Sequence, residues 1–268
     1  MKNPYPLNSY DTPVSYPRFR SDRFFLGCRL SFYVRIFYIW FKCSRLIRKG
    51  IFNRDRRTAY ANLCIKTAEG CGGRFHLRGL DNLNAAGQPV VLIGNHMSML
   101  ETPILPGIVQ PRINDVTFVV KKSLFKMTFL GEILKLMDAI GVSRENARED
   151  FRVIMEEGKK RLSQGKSVIV FPQSTRMETF DPEQFNTVGI KLAKAAGVPV
   201  VPFALKTDLI GNGYPKFIKD FGPIQRNREV YIEFAPPIRI SGNGKEEHQK
   251  IVKFIQERLN TWRAAEKR

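Results

Sequence analysis

The chain has 268 residues, which is enough for one large α/β domain with a short appendage and too few for a second catalytic domain. Its four cysteines include no Cys-x-x-Cys pair and it has three histidines, so the spacing excludes a zinc cage and a disulfide framework and predicts a reducing compartment without a structural metal. The 44 basic and 25 acidic residues give a net charge of +19, which favours anionic partners such as phospholipid headgroups, phosphate-bearing substrates or nucleic acid.

The basic excess is concentrated at the N-terminus, where residues 1–57 hold 13 Lys and Arg against 3 Asp and Glu. The first 23 residues are rich in Pro, Tyr and Ser, which predicts disorder. Residues 24–41 are strongly aromatic, but Arg29, Arg35 and Lys42 interrupt them every six or seven positions. A simple transmembrane helix is therefore disfavoured.

The aromatic segment instead predicts a helix, or a shallow helical hairpin, that lies in a membrane interface with its rings among acyl chains. A basic belt follows it, formed by Lys42, Arg45, Arg48, Lys49, Arg54, Arg56 and Arg57. The alternative is a core helix whose basic edge is only solvated. We expect residues 1–52 to be a membrane-associated unit, residues 53–268 to be an α/β domain, and the protein to sit peripherally or monotopically on the cytoplasmic face of a membrane.

Four short apolar runs in the second part of the chain predict buried strands. They are Val90–Ile93, Ser167–Phe171, Val198–Phe203 and Glu229–Phe234. Helical patterns at 123–137, 147–164 and 183–196 lie between them, and Gly165 and Gly197 are expected to end the last two. This alternation predicts an α/β fold with a largely parallel central sheet flanked by helices.

Polar side chains follow the first two of these runs, at the strand ends where such sheets bind ligands. The first run leads to His96 and Glu101, and the second leads to residues 172–176, Pro-Gln-Ser-Thr-Arg. A neutral histidine can take the proton of an attacking hydroxyl, and a carboxylate on its other ring nitrogen fixes the tautomer. No Gly-x-Ser-x-Gly nucleophile motif is present, so the substrate itself would supply the hydroxyl.

Each of these residues also has a structural interpretation. Ser98-x-x-Glu101 is a capping box, in which the glutamate satisfies a helix N-terminus. A lone histidine after a strand is often structural, and Arg176 could be an ordinary surface residue. The capping and catalytic roles of Glu101 are compatible, because a carboxylate at that position can still face His96.

These residues resemble the glycerolipid acyltransferases of the lysophosphatidic acid acyltransferase type. That family has four blocks in a fixed order: His-x-x-x-x-Asp, a block that ends in Arg, Phe-Pro-Glu-Gly-Thr-Arg, and a Val-Pro-rich segment. The similar segments here are Asn95 to Glu101, Gly141 to Arg144, Phe171 to Arg176, and Gly197 to Pro202. The connecting segments 121–125 and 185–191 are also similar to the family.

The resemblance implies an O-acyltransferase of phospholipid biosynthesis that moves a fatty acyl chain from an acyl-CoA or acyl carrier protein thioester to a lysophospholipid, with 1-acylglycerol 3-phosphate as the expected acceptor. It implies that His96 is the base, that Glu101 is its partner, and that Arg144 and Arg176 bind the acceptor's phosphate. Neither a cofactor nor a metal is implied. The other expected substrate-binding residues are Lys121, Phe171, Pro172, Gln173, Ser174 and Thr175.

Three positions depart from the family pattern: Glu101 replaces Asp, Gln173 replaces Glu, and Ser174 replaces Gly. Glu101 keeps the charge of the catalytic pair. Gln173 loses a charge beside the expected acceptor site and gains two hydrogen-bond donors. Another acceptor, either a lipid A-like lipid or one without phosphate, is therefore an alternative.

Two other classes of function remain open from the sequence. An inactive membrane-binding scaffold would account for the basic aromatic segment but not for His96 and Glu101. A nucleic-acid-binding protein would account for the net charge, but no nucleic-acid motif is present and the basic excess lies beside apolar aromatic residues, so no nucleic-acid partner is expected.

Overall fold

A computed structural model describes residues 3–24, 27–87, 89–173, 175–211 and 221–266. Its strands form one mixed sheet in the order β1-β2-β8-β7-β3-β6-β4-β5. The strands are β1 Tyr10–Asp11, β2 Phe75–Arg78, β3 Val91–Gly94, β4 Asp115–Lys121, β5 Ile140–Val142, β6 Lys166–Val170, β7 Val200–Lys206 and β8 Val230–Phe234. The β1–β2 and β7–β8 pairs are antiparallel, and all other neighbours are parallel.

The predicted α/β class with a largely parallel sheet is confirmed, and all four predicted strands are present. β3 lies at the centre, with Val91 opposite Val168 of β6 and Val200 of β7. Every residue of β3 and β7 is buried. Such strands appear in a sequence as continuous apolar runs, which is why these two could be recognised.

Helices cover the sheet. They are α1 Arg20–Phe24, α2 Arg29–Arg48, α3 Arg54–Gly70, α4 Asp81–Ala85, α5 Glu101–Val109, α6 Leu130–Leu136, α7 Ala147–Ser163, α8 Val188–Ala196 and α9 Lys245–Glu266. The side chain of Asn146 caps α7 by accepting from two backbone N–H groups. Gly165 and Gly197 follow α7 and α8 with positive φ, as predicted for helix C-termini.

Two of the three predicted helices are interrupted. The helix predicted at 123–137 is a 3₁₀ helix, Lys122–Lys126, followed by α6, because Phe129 has φ 65°. The helix predicted at 183–196 begins as a 3₁₀ turn, Pro182–Gln184, before α8 starts at Val188.

The N-terminal segment is folded against the sheet, so the predicted disorder of residues 1–23 is wrong for its described part. Tyr10 and Asp11 form strand β1 beside β2. The hydroxyls of Tyr10 and Thr12 each donate to the buried carboxylate of Glu69 at 2.6 Å. These contacts attach the N-terminus to α3. The proposed division of the chain at residue 52 stays a prediction.

Helix α2 has one buried face and one exposed apolar face. One face is core, with Phe32, Ile36 and Trp40 buried against the domain. The opposite face exposes an apolar stripe, which consists of Leu30, Val34, Phe37, Tyr38 and Phe41. Within the described part of the chain, no helix is both long enough and apolar enough to cross a membrane.

The predicted basic belt is wrong for Arg57, which is buried and forms an ion pair with Asp115. Arg54 donates to the backbone carbonyls of Gln110 and Ile113 and is partly engaged in the same way, although it is exposed. The guanidinium of Arg57 therefore fastens α3 to the domain and is not available to phospholipid headgroups.

Helix α9 is joined to the end of β7 by a buried ion cluster. Lys206 has no exposed side-chain area, and its ammonium contacts the carboxylates of Asp208, at 2.8 Å, and Glu266. Glu266 also accepts from the backbone N–H of Glu229 at 3.1 Å. The last turn of α9 thereby neutralises a lysine inside the sheet.

Candidate active site

The site begins where β3 ends. The side chain of Asn95 bridges to β7, donating to the carbonyl of Leu205 at 2.7 Å and accepting from its N–H at 2.9 Å. A Cβ at Gly94 would lie 2.4 Å from the Phe203 ring, so this position needs glycine. The strand end is thus fixed from both sides, and the next residue, His96, projects from a rigid support.

His96 and Glu101 form a buried pair. Nδ1 of His96 is in short hydrogen-bond contact with Oε2 of Glu101, and the glutamate side chain has no exposed area. Because an ionised carboxylate can only accept, Nδ1 carries the proton. Nε2 then presents its lone pair, and among the described residues no group bonds it. His96 itself lies on the wall of a cavity.

Glu101 is held by more than the histidine. Its Oε1 accepts from the backbone N–H groups of Met97 and Ser98, both at 2.8 Å, and from the hydroxyl of Thr207 at 2.5 Å. Glu101 is the first residue of α5, whose N-cap is Leu100 and has no side-chain cap, so the capping box predicted from Ser98-x-x-Glu101 does not form. Glu101 instead accepts from the loop before the helix, while its other oxygen faces His96.

Residues after β6 support His96 from the other side. The ring of Phe171 stacks on the imidazole with centroids 4.4 Å apart and planes 15° apart. Oε1 of Gln173 accepts the backbone N–H of His96 at 2.8 Å, which fixes the orientation of the Gln173 amide. Gln173 is 2% exposed, and its Nε2 has no hydrogen-bond partner in the described part of the chain. Two buried N–H groups beside the His96–Glu101 pair are therefore left for a ligand.

A cavity of about 480 Å³ lies in front of His96. Its inner wall is apolar and includes Phe118, Val170 and Phe171. Its rim is charged, with the cations Lys121, Arg144 and Lys191 and the carboxylates Glu145 and Asp150. An apolar interior whose rim carries more cations than anions suits an amphiphile with an anionic headgroup.

Arg144 lies on the rim of the cavity in a left-handed backbone conformation. Its φ of 65° is left-handed, and Asp150 holds the turn by accepting from the backbone N–H groups of Ser143 and Arg144, both at 2.7 Å. The pKa of Arg144 lies below its ordinary value, first because the surrounding protein desolvates the guanidinium and second because Arg176 repels it. The two guanidiniums are therefore close enough to interact, which is an arrangement that an anion would stabilise.

The structure gathers most of the predicted site residues. The following predicted residues line the cavity: His96, Lys121, Arg144, Phe171, Pro172 and Gln173. Glu101 lies behind His96. Arg176 is partly buried near Arg144 without lining the cavity, and Thr175 is exposed. Ser174 lies outside the described residues.

The sequence interpretation missed Thr207 and Asp150. Thr207 directly follows β7, and the rule that site residues follow strands would have found it if the end of that strand had been placed correctly. Asp150 gave no comparable signal, because an acidic residue in the first turn of a helix is expected to interact with the helix dipole alone.

Comparison with known proteins gives three results. Residues 74–206 match the family described as "Acyltransferase". A protein of Pseudomonas aeruginosa named 1-acyl-sn-glycerol-3-phosphate acyltransferase is 28% identical over 193 residues, which is 71% of this chain and 68% of that protein. The Escherichia coli protein of the same name is 27% identical over 161 residues, which is 60% of this chain and 61% of that protein.

A solved structure, the 1-acyl-sn-glycerophosphate (LPA) acyltransferase of Thermotoga maritima, has the same fold. It aligns with a TM-score of 0.63 at 19% identity, over 92% of this chain and 98% of the Thermotoga chain. The similarity thus extends beyond the matched residues 74–206 to the N-terminal and C-terminal elements.

Proposed function

Because this chain belongs to the acyltransferase family, we propose that it transfers a fatty acyl chain from a thioester to the free hydroxyl of a lysophospholipid, with 1-acylglycerol 3-phosphate as the acceptor. The names of its relatives support this acceptor. The observation that carries the proposal is the buried His96–Glu101 pair, with the bare Nε2 of the histidine at a cavity that has an apolar wall and a basic rim.

In the first step, Nε2 of His96 takes the proton of the lysolipid hydroxyl while the oxygen attacks the thioester carbonyl carbon. A C–O bond forms, and the carbonyl electron pair moves onto oxygen. The imidazole becomes an imidazolium, whose charge is stabilised by the carboxylate of Glu101 across the Nδ1–H bond.

In the second step, the tetrahedral intermediate re-forms its carbonyl and expels the thiolate. The imidazolium returns its proton to the sulfur, so that His96 is neutral again and no net proton is gained or lost. The stack of Phe171 on the imidazole keeps the ring in one plane throughout both transfers. The residues that surround the pair supply orientation, and none of them forms a covalent intermediate.

The acceptor's phosphate is proposed to bind between Arg144 and Arg176. A phosphate there would add a negative charge beside two guanidiniums that repel each other, and it would be met in a bidentate manner. The acyl donor is proposed to be either acyl-CoA or an acyl carrier protein thioester. Either donor presents the same thioester carbon to the attacking hydroxyl.

The apolar stripe of α2 supports attachment to a membrane surface. Lys42 and Arg45 lie on the same helix, next to Phe41, and no described acidic group pairs with them. Exposed aromatic residues beside cations suit the boundary between acyl chains and phosphates. We propose peripheral or monotopic attachment to the cytoplasmic face through this side of the helix.

The proposal is tested by mixing the purified protein with a radiolabelled acyl thioester and 1-acylglycerol 3-phosphate. The wild type should form the diacyl product, and His96→Ala should lose about 10²–10⁴-fold in turnover. His248→Ala is the matched control, because His248 stacks on Phe185 and does not line the cavity. If the wild type makes no product, the inactive scaffold becomes the better interpretation. If His96→Ala keeps its turnover, His96 is not the base.

A further inference from the structure

Thr207 occupies a position that the reaction steps above do not use. It lies directly after β7 and is fully buried. Its hydroxyl is 2.5 Å from Oε1 of Glu101 and 3.0 Å from the hydroxyl of Ser98. No substrate atom can reach it, since Glu101 stands between Thr207 and His96.

The direction of every proton in this cluster is determined. The carboxylate of Glu101 can only accept, so the single hydroxyl hydrogen of Thr207 must point to it. Thr207 must then accept from the hydroxyl of Ser98, because its own hydrogen is already used. Ser98 Oγ in turn accepts the backbone N–H of Leu100 at 3.2 Å. The chain of donors runs one way, from the start of α5 to the catalytic carboxylate.

We propose that Thr207 is a positioning residue for acyl transfer, which selects the carboxylate oxygen of Glu101 that faces His96 and moderates the charge that the imidazole experiences. With three donors on Oε1, that oxygen is fully engaged and Oε2 alone is left for Nδ1. Thr207 is the one member of the three that comes from another part of the sheet, so it ties the pair to β7. This inference rests on the proposed function.

Replacing Thr207 by valine removes the hydroxyl and keeps the shape of the side chain. Glu101 then keeps the backbone N–H groups of Met97 and Ser98 as donors but loses the hydroxyl of Thr207, so its negative charge is less neutralised. We expect kcat to fall about 10- to 100-fold with little change in KM, because a hydrogen bond to a charged group that acts in the chemical step is lost. The acid limb of the kcat/KM profile should move to higher pH by about half a unit or more, because a less neutralised carboxylate holds the imidazolium more strongly.

Thr207→Ser keeps the hydroxyl and should restore most of kcat together with the wild-type pH profile. Thr117→Val is the matched control. Thr117 is also a fully buried threonine of the sheet, but its hydroxyl has no hydrogen-bond partner in the described part of the chain and it does not line the cavity. The same chemical change at this position should alter neither kcat nor the pH profile.

The inference is overturned if Thr207→Val has a wild-type kcat and pH profile, or if its kcat falls without a shift of the profile and serine fails to restore it, which would indicate a purely structural role. Parallel thermal melts exclude unfolding as the cause of any loss. Failure of the proposed function looks different, because the wild type would then form no product or His96→Ala would remain active.

Discussion

Glu101→Gln offers a sharp test of the catalytic pair, because the surrounding donors dictate how the new amide must lie. Oε1 of Glu101 receives hydrogen bonds from Met97, Ser98 and Thr207, so the amide oxygen must take that place. The NH₂ group then faces Nδ1 of His96. Nδ1 of the histidine then accepts from this NH₂ group, and the ring proton moves to Nε2. Nε2 therefore has no lone pair with which to act as a base at the cavity.

The expected loss of kcat follows from the free energy needed to put the proton of His96 back on Nδ1. To act as a base in the Glu101→Gln variant, His96 must carry its proton on Nδ1. That N–H then faces the N–H of the new amide, so two buried donors are left without acceptors. At ~1–3 kcal/mol for each donor, the penalty is ~2–6 kcal/mol, which corresponds to a loss of about 30-fold to 10⁴-fold in kcat. Glu101→Asp keeps the charge and should lose less.

Single-turnover acyl transfer at saturating substrate measures this loss without interference from product release. Glu69→Gln is the matched control. Glu69 is also a buried carboxylate that accepts hydrogen bonds from hydroxyl groups, but it does not line the cavity. A Glu101→Gln variant that turns over within about threefold of the wild type would show that the tautomer of His96 is not set by this contact.

Arg176→Ala should lower kcat/KM for 1-acylglycerol 3-phosphate by ~1.5–3 kcal/mol, and lysine should restore it in part; an equal loss on an uncharged lipid alcohol would contradict phosphate binding. Gln173→Glu should change the preference between these two acceptors more than the overall rate, because it replaces two donors with a charge in the wall of the cavity that Arg144 also lines. An unchanged preference would place residue 173 outside the acceptor site. Replacing Phe37 and Phe41 together by alanine should weaken cosedimentation with anionic liposomes at least tenfold, at ~1.5–3 kcal/mol for each fully buried ring, whereas Leu136→Ala, on the exposed side of α6, should not. Salt at 1 M should release the wild type only in part, and full release would mean that the attachment is purely electrostatic.

The sequence predicted the central strands because they are buried on both faces, and it missed the others for identifiable reasons. β2 alternates buried and half-buried residues over four positions, and β5 has three residues, so neither forms a recognisable run. The break of the helix predicted at 123–137 comes from a positive φ at Phe129, which no propensity indicates. A mostly aromatic segment such as α2 likewise does not reveal which of its rings face the core.

Candidate site residues could be predicted from the sequence only where the end of a strand was placed correctly. His96 and Gln173 follow runs whose ends were placed within one residue of the structure. β7 was expected to end at Phe203, but pairing with β8 extends it to Lys206, opposite Tyr231. That extension depends on a partner strand more than twenty residues later and on a buried lysine, which in a sequence marks the end of a strand. Thr207 was missed for this reason.

The buried Lys206 has a consequence for how the protein is made. Of its two carboxylate partners, Asp208 lies two residues on and Glu266 lies 60 residues later in the chain, so during synthesis the ribosome delivers the lysine and one carboxylate well before the second. Breaking a buried ion pair completely costs ~3–5 kcal/mol, and losing one of two carboxylates costs part of that, against the ~5–15 kcal/mol that holds a typical domain together. The end of β7, and with it Thr207 behind Glu101, therefore reaches its full stability only when the last turn of α9 docks. Nascent chains that stop short of that turn are expected to hold this end of the sheet less firmly and to be more sensitive to proteases.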